Sequence, residues 1–116
     1  MTTPAEIAVE RHGGVVVVRV GGEVDMTNAT FVRDELLRSI PNDALGLVIE
    51  LSDCRYLDSA AIEVLFDLAR RLGRRRQDLR LAVPPSSPLR RVLILTEISS
   101  AAPMHDGLDE AVAAVG

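Results

Sequence analysis

Tyr56-Leu57-Asp58-Ser59-Ala60-Ala61-Ile62-Glu63-Val64-Leu65 is the stretch around which the chain can be ordered. Asp58-Ser59 follows a tight loop and opens an apolar-striped helix, predicted from about Ser59 to Arg75. Ile62, Leu65, Phe66, Ala69 and Leu72 recur at helical spacing and form its inner face. Glu63, Asp67, Arg70 and Arg74 form the polar stripe. The first N–H groups of a helix lack intrahelical partners and carry the positive end of its dipole. A carboxylate and a hydroxyl placed there cap the helix. The same place suits a phosphate. Both uses of Asp58-Ser59 stand at this point.

Upstream of that helix, Leu45–Leu51 reads as a strand and Ser52-Asp53-Cys54-Arg55 as the loop after it. Further back, Val15-Val16-Val17-Val18-Arg19-Val20 is a β-branched run that fits a strand buried on both faces. Glu6–Arg11 alternates like an edge strand, and the His12-Gly13-Gly14 turn makes the two runs an antiparallel hairpin. Gly21-Gly22-Glu23-Val24-Asp25 leaves the second strand for a loop. Thr27 or Asn28 then caps a helix whose inner face holds Ala29, Val32, Leu36, Leu37 and Ile40, and Pro41-Asn42-Asp43 stops it.

Downstream, Leu79–Val83 reads as a fourth strand, ended by Pro84-Pro85. Ser87 followed by Pro88 opens a helix to about Thr96. A weak edge strand is expected within Ser99–Met104, since Pro103 lacks a donor. Asp106 is expected to cap a terminal helix with Leu108, Ala111, Val112 and Val115 on one face. The predicted fold class is therefore α/β. It is a single domain over 1–116, with an ordered core of about 5–115, about four helices, and a mixed, mostly parallel sheet whose N-terminal edge strand is antiparallel. The loops after the parallel strands converge on one rim, where such folds bind ligands. Asp25, Asp53, Asp58 and Ser59 are all expected on it.

Composition removes several chemistries. The net charge of −4 argues against direct nucleic-acid binding. All thirteen basic residues are arginine. Without lysine there is neither a P-loop, which ends in Lys-Ser/Thr, nor the late lysine of a phosphoacceptor receiver domain. Ser59 has no Gly-x-Ser-x-Gly context, and His12 and His105 read as surface turn residues. Cys54 is the single cysteine and reads as a small buried or half-buried thiol. No Cys/His spacing suits zinc. The arginines Arg70, Arg71, Arg74, Arg75 and Arg76, with Arg80, Arg90 and Arg91, fit either a solvated face or an anionic partner. No apolar run reaches the roughly 18–20 residues needed to cross a bilayer. The start of the chain has no signal-peptide pattern, so a cytoplasmic setting and no membrane insertion are expected.

Gly22-Glu23-Val24-Asp25 and Leu57-Asp58-Ser59-Ala60-Ala61-Ile62-Glu63-Val64-Leu65, in this layout, resemble STAS domains, in particular the bacterial anti-sigma-factor antagonists. The likeness runs from about Ala5 to Val115. It implies a partner switch in transcription regulation. In that family the unphosphorylated antagonist binds an anti-sigma factor that is also a serine kinase of the GHKL type. Phosphorylation of the serine in the Asp-Ser pair ends the binding, and a cognate phosphatase resets it. By position that serine is Ser59, with Asp58 before it and Asp25 matching the acidic residue after the second strand. The implied partner-binding set is Asp25, Asp58, Ser59, Ala60, Ile62 and Glu63. No catalytic residue, cofactor or metal is implied, because the antagonist is a substrate and a binder rather than an enzyme. The family pattern runs Asp-Ser-Ser/Thr-Gly-Leu-Gly. Here Ala60 stands for the second hydroxyl, Ala61 for the first glycine and Glu63 for the second. That departure keeps two alternatives open: a non-phosphorylated STAS subunit of a membrane transport assembly, and a STAS module sensing a small ligand.

Overall fold

The computed structural model describes residues 4–116. The chain opens with the hairpin β1 (Glu6–His12) and β2 (Val15–Val24), followed by α1 (Ala29–Arg38) and β3 (Gly46–Glu50). Next come β4 (Cys54–Leu57), α2 (Ser59–Arg74) and β5 (Asp78–Ala82). The chain ends with α3 (Leu89–Leu95), a 3-10 turn (Ile98–Ser100), β6 (Met104–His105) and α4 (Leu108–Ala114). The sheet order is β1-β2-β3-β5-β6, with β4 paired to β2 off that path. Among the described residues only β1 and β2 pair antiparallel. The expected mixed, mostly parallel α/β sheet with an antiparallel N-terminal edge is present.

The valine run of β2 explains how the layers are held. Residues of a strand alternate between its two faces. Val16, Val18 and Val20 join Leu47 and Ile49 of β3 and Leu79 and Leu81 of β5 in the larger core, under Val32 and Leu36 of α1, Leu65, Leu68 and Leu72 of α2, and Leu93 of α3. Val15 and Val17 face the other way, with Val48 and Ala82, and pack against Leu108, Ala111 and Val112 of α4 and Val115 just after it. The two-sided burial predicted for Val15–Val20 follows from this arrangement.

Several local expectations need correction. β2 does not end at Val20. It continues through Gly21-Gly22 to Val24, and the register shifts between Gly22 and Glu23 where it meets β4. Gly22 makes this possible with φ +82, a backbone conformation in which a side chain is strained. Cys54-Arg55 is not loop but the start of β4. That strand buries only Cys54 and Leu57 and exposes Arg55 and Tyr56, so it carries no alternating signal. Ser99–Met104 begins with the end of the 3-10 turn, Ser99-Ser100, and continues as irregular chain, and the last strand is the residue pair Met104–His105. Finally, Asp106 does not cap α4. Gly107 occupies the cap position without a side-chain bond, and Asp106 instead forms an ion pair with Arg90 at 2.7 Å.

The other helix openings show how side chains compete for backbone donors. Asn28 sits at the start of α1 but gives the helix no side-chain cap. Its amide braces the preceding loop, accepting from the Asp25 N–H at 2.9 Å and donating to the Glu23 carbonyl at 2.9 Å. Pro88, not Ser87, holds the cap position of α3, and Ser87 one residue earlier accepts from the Leu89 N–H at 3.1 Å. On α2 the fully buried residues are Ala61, Ile62, Leu65, Leu68 and Leu72, while Phe66 and Ala69 are half-buried. The inner face is thus rotated slightly from the predicted one.

Candidate functional site at the start of the second long helix

β4 delivers Asp58 to the start of α2 in an extended conformation, φ −92 and ψ −174. This is the backbone shape of a helix cap. The Asp58 carboxylate is used at both oxygens. Oδ1 accepts from the Ala61 N–H at 3.0 Å, and Oδ2 accepts from the Met26 N–H at 2.9 Å, across to the loop between β2 and α1. The Asp58 N–H in turn donates to the Val24 carbonyl at 3.2 Å. One residue therefore caps α2 and ties two segments together that lie more than thirty positions apart in the sequence.

Ser59 is consequently not the cap. It is the first helical residue, it is exposed, and its hydroxyl takes no hydrogen bond among the described residues. His12 and His105 are engaged elsewhere, His12 with Glu10 at 3.1 Å and His105 with Arg80 at 3.1 Å. Neither histidine is therefore in place as a base for Ser59.

Asp25 joins Asp58 and Ser59 through the same loop. Its carboxylate accepts from the Thr27 hydroxyl and from the Thr27 N–H, the latter at 2.9 Å. These bonds, the hydroxyl first, hold the Asp25 carboxyl below the ordinary aspartate range. Asp25 is ionised at neutral pH and shapes the loop that carries Met26. Asp53 does not join this group. It lines a separate depression with Glu6, Gly21, Gly22 and Arg55. No cluster of acidic, histidine or cysteine side chains among the described residues is arranged to hold a metal ion.

Two grooves flank Ser59. One lies between α2 and α3, where Ser59 and Glu63 border an apolar floor of Leu57, Ile62, Phe66 and Val92. Ile62 is only 7% exposed, so it offers a partner an edge rather than a side chain. The other groove lies between α1 and α2 and is lined by Met26, Ala60, Glu63 and Arg71, among others. Glu63, one turn beyond Ser59, borders both. Sequence reasoning overlooked Met26. It is 80% exposed and sits directly beside Asp58, and its signal was a large apolar residue inside the polar loop Glu23–Asn28. The arginine run divides. Arg70 and Arg71 both bind Asp67, Arg80 pairs with Asp78, and Arg90 pairs with Asp106. Cys54 is buried, and desolvation pushes its thiol above the ordinary range, which makes it a packing residue.

A mixed, mostly parallel sheet with helices on both faces defines a small α/β domain. The STAS domain model matches residues 6–111, and the chain belongs to that family. It is 28% identical over 67 residues to the anti-sigma-F factor antagonist RsfB of Mycobacterium tuberculosis, a match covering 58% of this chain and 55% of that one. The match thus spans about half the length of that curated relative. The crystal structure of an anti-sigma factor antagonist from Mycobacterium paratuberculosis superposes with a TM-score of 0.81 at 30% identity, covering 99% of this chain and 98% of that one. The Bacillus cell fate determinant SpoIIAA in its phosphorylated form shares the fold, with a TM-score of 0.68 at 20% identity over 96% of this chain and all of that one. No helix among the described residues is long and apolar enough to cross a membrane.

Proposed function

We propose that this STAS domain is an anti-sigma-factor antagonist that works by partner switching. In its unphosphorylated form it binds an anti-sigma factor that is also a serine kinase, and the sigma factor is freed. Phosphorylation of Ser59 ends that binding, and a cognate phosphatase restores it. The domain acts as binder and substrate, not as enzyme, and the setting of such a switch is the cytoplasm.

One observation carries this reading: the helix is already capped by Asp58, so the Ser59 hydroxyl is exposed and has no structural duty. A kinase can take it without unmaking the fold. A phosphate there adds about −1.5 to −2 charges beside Asp58. The helix dipole offsets part of this, worth about 0.3–1 kcal/mol. A partner packed against Ser59 loses both fit and charge balance. The relatives named as antagonists support the same reading. Asp25 and Asp58 hold the loop and helix that form the surface, while Met26, Ala60, Ile62 and Glu63 border it.

The test is binding to the anti-sigma kinase of the host, captured on the wild-type chain, identified, and then purified. Wild type and Ser59→Ala are expected to bind it alike. Ser59→Asp is expected to bind at least about tenfold more weakly, because a charge is buried unpaired at the contact. The purified kinase with ATP should phosphorylate wild type, with the phosphate mapping to Ser59 by peptide mass spectrometry, and should leave Ser59→Ala unmodified. Equal binding by wild type and Ser59→Asp overturns the proposal.

A further inference from the structure

The groove between α1 and α2 has a direction. Its floor is small and apolar, formed by Ala29, Ala60 and Val64, so a partner backbone can come close. At the end next to Ser59 stands the exposed Glu63 carboxylate. At the far end stand Arg33 of α1 and Arg70 and Arg71 of α2. The only carboxylate lining that end among the described residues is Asp67, which Arg71 meets at 2.9 Å and Arg70 at 3.4 Å. Arg33 meets Asp34 of its own helix at 3.2 Å, while Arg70 and Arg71 share Asp67, so the far end keeps one positive charge in excess. Seven residues of helix separate Glu63 from Arg70, roughly 10 Å at 1.5 Å per residue. A groove that is negative at one end and positive at the other fixes the polarity of whatever lies in it.

We infer that this groove is the specificity element of the switch and receives a helix of the anti-sigma kinase. That helix carries a basic residue opposite Glu63 and an acidic residue about two turns away, opposite Arg33 and Arg71. This inference rests on the antagonist reading above and adds the chemistry by which the partner is chosen. An amphipathic helix laid in a groove is anchored by apolar contacts and selected by charges at its rim. Met26 lies at the entrance, beside Asp58, so the groove is continuous with the surface around Ser59. Glu63 stands where the family pattern has a glycine.

The probe is the purified anti-sigma kinase that binds the wild-type chain, measured by calorimetry with Glu63→Arg, Glu63→Gln, Arg71→Glu and the control Arg91→Glu. Arg91 is exposed on α3 and does not line the groove. Each charge reversal in the groove is expected to weaken binding by about tenfold or more, with a smaller loss for Glu63→Gln and none for Arg91→Glu. These positions are on the surface, and unchanged circular dichroism and Tm show that the variants fold. Groove reversals that bind within twofold of wild type, while Ser59→Asp still releases the kinase, overturn this inference and leave the switch standing. A wild-type chain that captures no anti-sigma kinase overturns both.

Discussion

Asp58 and Ser59 are neighbours with opposite duties. The carboxylate is spent on structure, with one oxygen on the Ala61 N–H and the other on the Met26 N–H. The hydroxyl is left to solvent. Asp58→Ala removes a cap and leaves two backbone donors without that partner, so it is expected to lower stability by about 1–2 kcal/mol in urea unfolding. Ser59→Ala should change it by less than about 0.5 kcal/mol, as surface substitutions do. A larger loss at Ser59 than at Asp58 would reverse the assignment of the cap. From the sequence alone the two residues were interchangeable, because both types cap helices well. What separates them is the extended backbone of Asp58, set by the pairing of β4 with β2, and neither partner in that pairing announces itself by pattern. Glu63 and Ala60 could be placed near Ser59 by helical spacing. Met26 could not, because its position depends on a bond between distant segments.

Strand and helix order was legible wherever apolar residues kept a period. The valine run, the Leu45–Leu51 stretch and the stripe of α2 each read correctly to within a residue or two at the ends, apart from the hidden extension of β2. That extension was missed because Gly21-Gly22 looks like punctuation. Gly22 in fact sits inside the strand, where a bulge re-aims the chain toward β4. A Cβ built at Gly22 falls 2.3 Å from the Pro4 carbonyl oxygen, and φ there is +82. Gly22→Ala therefore meets a conformational penalty of about 1–2 kcal/mol and a backbone collision as well. Its expected cost is above about 2 kcal/mol. Gly13→Ala is the fair comparison. Gly13 also has positive φ, +64, but nothing lies within 4 Å of its Cβ position. It should lose about 1–2 kcal/mol, the conformational part alone. Equal Tm losses for the two variants would mean that the N-terminal segment does not rest on the bulge.

At the scale of the molecule, the sheet carries two unequal cores, and the proposed switch stands on the larger. α2 is pinned by Ala61 and Ile62 in the turn that holds Ser59 and by Leu65, Leu68 and Leu72 further along, in the cluster shared with α1, α3 and four strands. The opposite face is covered by α4. A charge added at Ser59 acts through exposed surface, where like-charge repulsion with Asp58 amounts to about 0–1 kcal/mol. A domain of this size is held by about 5–15 kcal/mol. The first figure is too small to open the larger core, so release of a partner must come from the changed surface and not from a refolded domain. Hydrogen exchange of Ser59→Asp against wild type tests this directly. Faster exchange is expected only at the Met26 amide and in the first turn of α2, at Ala61 and Ile62, which donate to Asp58. Amides of β2, β3 and β5 should exchange at unchanged rates, because their protection is set by global opening. If β3 and β5 lose protection together, the added charge reaches the core and the switch is conformational. In that event the antagonist would shed its partner by loosening its sheet, and Ser59→Asp would lower the Tm by many degrees instead of a few.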